Sequence, residues 1–405
     1  MALPPLENYA YALLPADSAR SALVVEAPEN WSLNTAPDAA DVVLWGRVPY
    51  RRPPSTATLI RNIVSRERAL RRLGHSHAVH RLSPPPGRTG TFRTRMRNFL
   101  LGGAVVELAR ARGAESVLEA VVRTSAATPV EGESFAPGSD RAATLRVSDQ
   151  SGRLAILRFG PSAGASDPAA SAAVLRHLEK AGVQSVPRVL SDGRAGDAAY
   201  VVETLVPGRR PARVNDELIA RLVEFLAGLP KGERAPDSVR EDVEAIAVAM
   251  PESAPDLLDL LERLRPHIET LPSILSHRDL WSGNILVDGT ALGGVIDWDG
   301  AHLFGVPGTD LLHLFVSRRR ERGRLDIGPA WLEKPWRSQT FARLTAPYWN
   351  ALGIQPTSIV LDAIGIAWWV GWLRQAIARH ERLLVDEPWL AANMSPVLKE
   401  SLLLL

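Results

Sequence analysis

The chain has 405 residues, 46% of them hydrophobic and 23% charged, and a formal net charge of +2. These proportions exclude a mainly disordered or fibrous protein, and the small charge gives no electrostatic footprint for a nucleic-acid partner. Cysteine is absent, which excludes a disulfide framework, a thiolate nucleophile and any Cys-ligated zinc or iron–sulfur site.

The N-terminal stretch MALPPLENYAYALLPADSAR lacks a basic region followed by an uninterrupted apolar run, so a cytoplasmic location is expected. Short apolar stretches at Ala22-Leu-Val-Val-Glu26 and Asp41-Val-Val-Leu-Trp45, separated by Pro, Asn and Asp, suggest strands of a small α/β unit. The run Ser83-Pro-Pro-Pro-Gly-Arg-Thr-Gly90 reads as a linker and puts a boundary near residue 95. Beyond it, a helix is expected over Asn98–Arg112, and the β-branched content of Val117–Arg123 suggests a strand.

Thr144–Val147 and Leu154–Phe159 flank the turn-rich Ser148-Asp-Gln-Ser-Gly152 and predict a β-hairpin, with Leu154, Ile156 and Arg158 on one face. Asp167-Pro168 starts a helix that carries Val174, Leu175 and Leu178 at helical spacing and ends at Gly182. Ala199–Val206 is a strand that runs into the hinge Pro207-Gly208. From Asp216 onward helical patterns dominate, over Leu218–Leu229, Leu257–Leu264 and Ile359–Leu384. The most apolar segment, Ala363–Leu373, is far shorter than the roughly 20 residues a membrane span needs and reads as a buried helix.

The chemical signal lies in Ser276-His-Arg-Asp-Leu-Trp-Ser-Gly-Asn-Ile-Leu-Val287 and Gly294-Val-Ile-Asp-Trp-Asp299. Asp279 and Asn284 share a tight loop, because Ser282-Gly283 interrupts any helix. Two short strands joined at Asp288-Gly289 then return Asp297 to that loop. Phosphoryl transfer requires such a set: a carboxylate to orient and deprotonate an attacking hydroxyl, and oxygen ligands to hold Mg²⁺ against nucleotide phosphates. Asp279 is the candidate base, and Asn284 and Asp297 are the candidate metal ligands. His277 reads as a structural histidine bonded to nearby backbone. Asp299 is either a metal neighbour or a salt-bridge partner.

The stretch resembles the His-Gly-Asp-x-x-x-x-Asn and Ile-Asp-Trp-Glu motifs of the aminoglycoside phosphotransferases, choline kinases and their relatives. The resemblance implies an α+β, bilobal protein-kinase-like fold with an N-terminal α/β extension. Its parts would be residues 1–95 as the extension, 96–207 as a β-rich N-lobe and 208–405 as a helical C-lobe. It further implies ATP or GTP with Mg²⁺ as cofactors and a small-molecule hydroxyl acceptor, such as a sugar or amino alcohol. Gly138 and Ser139 fall where the family has its phosphate-covering hairpin, Glu203 and Leu205 lie on the strand whose backbone would meet adenine, and Asp310 matches a structural aspartate.

Three positions depart from the family pattern. Lysine occurs only at Lys180, Lys231, Lys334 and Lys399, so Arg158 stands where the nucleotide-gripping lysine is expected. Ser171 replaces the helix glutamate that would pair with it, and Arg278 replaces a common glycine. The expected activity is transfer of a γ-phosphate to a small metabolite, with a nucleotide-binding pseudokinase as the alternative.

Overall fold

The computed structural model describes residues 23–26, 42–47, 77–82, 105–111, 117–129, 136–137, 142–161, 167–232, 236–323 and 325–405. The chain divides into two compact units, Met1–Ala169 with Val189–Leu205, and Ala170–Arg188 with Val206–Leu405.

The first unit holds two sheets. Strands β1 (Leu23–Glu26), β2 (Val42–Arg47), β3 (His77–Leu82) and β4 (Val105–Ala111) form one in the order β1-β2-β4-β3. The helix expected over Asn98–Arg112 is therefore corrected. Val-Val-Glu-Leu-Ala-Arg-Ala is rich in helix formers, but β4 pairs with β2 on one side and β3 on the other, and two ladders of pairing override propensity. Pairing in this sheet thus runs past residue 95 to Ala111.

The strand expected at Val117–Arg123 is also corrected. It is the helix α1 (Val117–Ser125), which buries Val117, Ala120, Val121 and Ser125. That spacing is the apolar stripe of a helix, and the valines had masked it. The second sheet contains β5 (Thr128–Pro129), β6 (Ala136–Pro137), β7 (Ala143–Ser148), β8 (Leu154–Pro161), β9 (Val189–Ala195) and β10 (Ala198–Thr204). Its order is β5-β7-β8-β10-β9, with β6 also on β7.

The expected hairpin is β7–β8. Its turn is tied by Asp149, whose Oδ1 accepts from the backbone N–H groups of Ser151 and Arg153. Along β8, Ala155, Leu157 and Phe159 are buried and join Val121, Leu145, Val147 and Val202 in one core. Ile156 and Arg158 occupy the opposite, half-buried face.

The second unit opens on α2 (Pro168–Lys180), where Asp167 accepts from the N–H of Ala169. The helices α3 (Asp216–Ala227), α4 (Ser238–Ala249) and α5 (Ala254–Ile268) follow. Two small antiparallel pairs come next. One joins β11 (Ile274–Ser276) to β14 (His302–Gly305), and the other joins β12 (Ile285–Asp288) to β13 (Ala291–Val295). The chain ends in α6 (Thr309–Gly323), α7 (Ile327–Leu332), α8 (Gln339–Leu352), α9 (Ser358–Arg379), α10 (Glu387–Asn393) and α11 (Ser395–Leu404).

Helix α9 is the axis of this unit and packs on α4, α5 and α6. It buries Ala363, Ile364, Ile366, Trp368, Trp369, Val370 and Leu373, as expected of a helix that is apolar nearly all round. Its one buried acid, Asp362, accepts from Trp336 Nε1 at 2.9 Å and from the guanidinium of Arg337. Among the described residues no helix is long and apolar enough to cross a membrane. The β-rich part of the chain precedes the helical part, an α+β arrangement.

Candidate active site

The loop between β11 and β12 is held by one buried carboxylate. Asp310, in the first turn of α6, accepts from the backbone N–H of His277 at 2.8 Å and of Arg278 at 2.7 Å. Each bond removes a buried unsatisfied donor, and a charged acceptor makes both stronger than neutral pairs. These bonds shape a backbone with φ of +67° at Arg278, a left-handed value that costs a side chain energy and glycine almost nothing. That is a physical reason for the glycine common at this position in the resembling family. Here the arginine is accommodated by a second pairing, an ion pair from its guanidinium to Asp242 of α4. Gly371 of α9 leaves the space, since a Cβ there would lie 2.8 Å from Arg278 Nη2.

His277 is fully buried and acts as a strut. Its Nδ1 accepts from the N–H of Asp279 at 3.2 Å, and its Nε2 lies 2.9 Å from the carbonyl of Ile296. The ring meets Trp298 edge-on, with centroids 4.6 Å apart. Ile296 is held from its other side as well, because its N–H donates to the Asn284 carbonyl at 3.0 Å. The residue immediately before Asp297 is therefore bonded to both ends of the loop that carries Asp279 and Asn284. Asp297 itself has φ of +71°, a conformation that aspartate tolerates better than most side chains.

Asn284 donates from Nδ2 to the Asp279 carbonyl at 2.9 Å and to Asp279 Oδ2 at 3.3 Å. Both donations come from the amide nitrogen, and its amide oxygen makes no hydrogen bond among the described residues. A spare amide oxygen with the carboxylate of Asp297 is a hard-oxygen donor set suited to Mg²⁺. Gly283 lets the Trp281 ring lie against the backbone, since a Cβ there would fall 2.3 Å from that ring and push it away. Its carbonyl accepts from Arg210 Nε at 2.8 Å.

Among the described residues an imidazole and a guanidinium face the Asp279 carboxylate, and no chemical motif in the sequence marked either. His313 Nε2, on α6, lies 3.6 Å from Oδ1, and Arg379 Nη1, at the end of α9, lies 3.6 Å from Oδ2. Burial holds the His313 imidazole below its ordinary pKa, while Asp279 and Asp310 pull the other way. The signal available was spacing: His313 is one turn beyond Asp310, and Arg379 closes the longest apolar helix. Beside the loop lies a small cleft bordered by Asp242, Ser276, Arg278, Trp368 and Trp372.

In the first unit, Arg158 and Glu203 share a face of the β8–β10 pair, and Arg158 Nη1 lies 4.0 Å from Glu203 Oε1. Both side chains are largely buried. Glu203 is thus the acid beside Arg158. Ser171 is fully buried within α2. Leu205 follows β10 and is partly exposed. Gly138 and Ser139 lie outside the described residues. The basic run from Arg318 is tied to acids, Arg318 to Asp216 and Arg319 to Glu333.

A model of the phosphotransferase enzyme family matches residues 132–344, just over half of the chain. Among solved structures, the chain is similar to an aminoglycoside phosphotransferase from Streptomyces rimosus, at 18% identity over 62% of this chain and 96% of that one, with a TM-score of 0.40. It is similar to an ethanolamine kinase from Plasmodium vivax at 11% identity over 68% and 83%, with a TM-score of 0.48. It is also similar to an aminoglycoside phosphotransferase from Alicyclobacillus acidocaldarius at 18% identity over 72% and 95%, with a TM-score of 0.41. No curated protein matches.

Proposed function

The chain belongs to the phosphotransferase enzyme family, whose fold is protein-kinase-like, and from that premise we propose that it transfers the γ-phosphate of ATP or GTP to a hydroxyl of a small metabolite. The observation that carries this reading is the bonded pair Asp279 and Asn284 on a loop fixed by Asp310, with the backbone before Asp297 tied to the same loop.

In this reading Asp279 accepts the acceptor's proton and orients its oxygen for in-line attack on the phosphorus. Loop rigidity serves that step, since the Asp279 backbone is bonded at its N–H by His277 and at its carbonyl by Asn284. Asn284 and Asp297 would hold Mg²⁺, which supplies charge neutralisation to the phosphate oxygens when bound. Arg158, steadied by Glu203, would grip phosphate with a planar fork in place of an ammonium. The backbone around Glu203 and Leu205 would meet the base, and Gly138 and Ser139 would cover the phosphates. A compound built on a sugar or an amino alcohol skeleton, acidic derivatives included, is the acceptor favoured.

A metabolite-library screen tests this. Nucleotide consumption coupled to a product heavier by one phosphoryl group is expected with at least one hydroxyl compound. Nucleotide binding without any product would instead establish a pseudokinase.

A further inference from the structure

Arg379 and Gln375 occupy one face of the last turns of α9, four residues apart. Arg379 lies 3.6 Å from the Asp279 carboxylate and is about a quarter exposed, at 27%. That distance is an ion-pair contact and too long for a hydrogen bond. Among the described residues no other carboxylate lies within ion-pair reach of Arg379, and none of its five N–H donors makes a hydrogen bond. The Gln375 amide nitrogen is buried, likewise without a hydrogen-bond partner among the described residues, and lies where Gly300 leaves room for it. Gly300 comes three residues after Asp297. A guanidinium with unspent donors therefore lies beside the proposed base, and one turn earlier on the same helix a buried carboxamide N–H group with unspent donors lies against Gly300.

A forked guanidinium with free donors, kept in place by helix packing, is built to take an oxygen anion in two parallel hydrogen bonds. Its position at the carboxyl end of α9 also favours positive charge there. A cationic acceptor would meet Arg379 as a like charge, whereas an anionic one would draw the guanidinium away from Asp279 and leave that carboxylate free for the hydroxyl.

We propose that the acceptor carries an anionic oxygen group, a carboxylate or a phosphate, close to the hydroxyl that is phosphorylated, and that Arg379 with Gln375 binds that group. The inference rests on the phosphotransferase reading above and narrows it to acidic acceptors. Because Arg379 and Asp279 are neighbours, the anionic group and the reacting hydroxyl belong on adjacent or next-adjacent carbons. A hydroxy acid, a hydroxy amino acid or a sugar acid meets this requirement, and so does a polyol phosphate.

The test is a panel of matched acceptors assayed with the full chain, ATP and magnesium: glycerol, glycerate and glycerol phosphate; ethanolamine and serine; glucose and gluconate; and a metabolite library divided into anionic and other hydroxyl compounds. Product is read by mass. The anionic members are expected to give KM values at least tenfold below their neutral or cationic partners, and the carboxylate and phosphate arms show which anion is taken. Arg379→Gln should raise KM for the preferred anionic acceptor tenfold or more, change kcat less, and erase the preference. Arg379→Lys should restore part of it. Thermal melting of each variant controls for folding, and Arg379→Lys carries the test if the glutamine variant does not fold. Turnover confined to neutral or cationic acceptors, or an unchanged preference in Arg379→Gln, overturns the inference while leaving phosphoryl transfer intact. If no acceptor gives product, the phosphotransferase reading falls, and this inference falls with it.

Discussion

The loop from His277 to Asp299 and the strand pair β8–β10 carry the two halves of the proposed chemistry, and they are built by different means. The loop is a mesh in which backbone does most of the work. Asp310 takes two N–H groups, His277 braces Asp279 against Ile296, and Asn284 closes the circuit. The strand pair brings two side chains together, Arg158 and Glu203 at 4.0 Å, on the half-buried face of a sheet whose other face is core. A mesh fixes its members within tenths of an ångström, so removing one functional atom should abolish function without collapsing the loop. An ion pair between side chains on neighbouring strands can adjust, so its loss should grade the response.

The sharpest break is Asp279→Asn. The substitution keeps the size and the backbone bonds but removes the proton acceptor, so turnover should fall by roughly 100-fold to 10,000-fold while nucleotide binding persists. Steady-state rates and a nucleotide titration on the same sample check it. Turnover near that of the unaltered protein would take Asp279 out of the chemistry.

Asp297→Ala acts on the same mesh and should read out differently. Nucleotide affinity should lose its dependence on magnesium, because the strongest charged ligand proposed for the ion is gone. Titrating ATP at several magnesium concentrations compares the two proteins. Identical magnesium dependence would mean that the ion is held elsewhere.

On the strand side, Arg158→Ala should weaken nucleotide binding by about tenfold to a hundredfold, the scale of one or two charge-assisted contacts. Glu203→Gln should cost less, since it removes the support and keeps the fork. If both variants melt lower yet bind nucleotide as before, the pair is structural and phosphate recognition lies elsewhere. Equal losses from both would show that Arg158 works only when steadied.

How much of this was legible in the sequence follows from the range of the forces involved. Asp279, Asn284 and Asp297 fall within nineteen residues, and their arrangement is set by a turn, two short strands and the Asp288-Gly289 corner, all of which leave marks in local residue choice. The hairpin at Asp149 and the cap at Asp167 were readable for the same reason. What the sequence hid was long-range. Helix α1 reads as a strand if its valines are counted, and reads as a helix only when its burial against the sheet is known. Strand β4 looks helical in composition and is made a strand by partners far away in the chain. Arg278 was visible as a departure, but its φ of +67° and its partner Asp242, thirty-six residues away, were not. Arg379 reaches Asp279 across one hundred residues, and no local pattern records such a contact.

The smallest expected effect concerns His313, which touches the mesh from α6 without belonging to it. The groups facing its ring are Asp279, Asp310, His277 and the backbone of Arg278, and Trp368 of α9 packs against it edge-on. Burial outweighs the two carboxylates and holds its pKa below the ordinary value of 6.5. The sign of the linkage follows from proton uptake. As pH falls through about 6.5 the unfolded chain protonates this histidine and the folded chain does not, so the unfolded state binds more protons and stability declines with falling pH. The slope from one such group is at most about 1.4 kcal/mol per pH unit. Urea unfolding of the unaltered protein and of His313→Gln between pH 5 and 8 isolates it, since the other histidines contribute equally to both curves. The difference between the two should be flat above pH 7 and narrow or widen steadily below 6.5, in the direction that costs the unaltered protein stability. Parallel curves would mean that His313 takes up its proton equally well in the folded protein, and that Asp279 has a protonated imidazole beside it as well as Arg379.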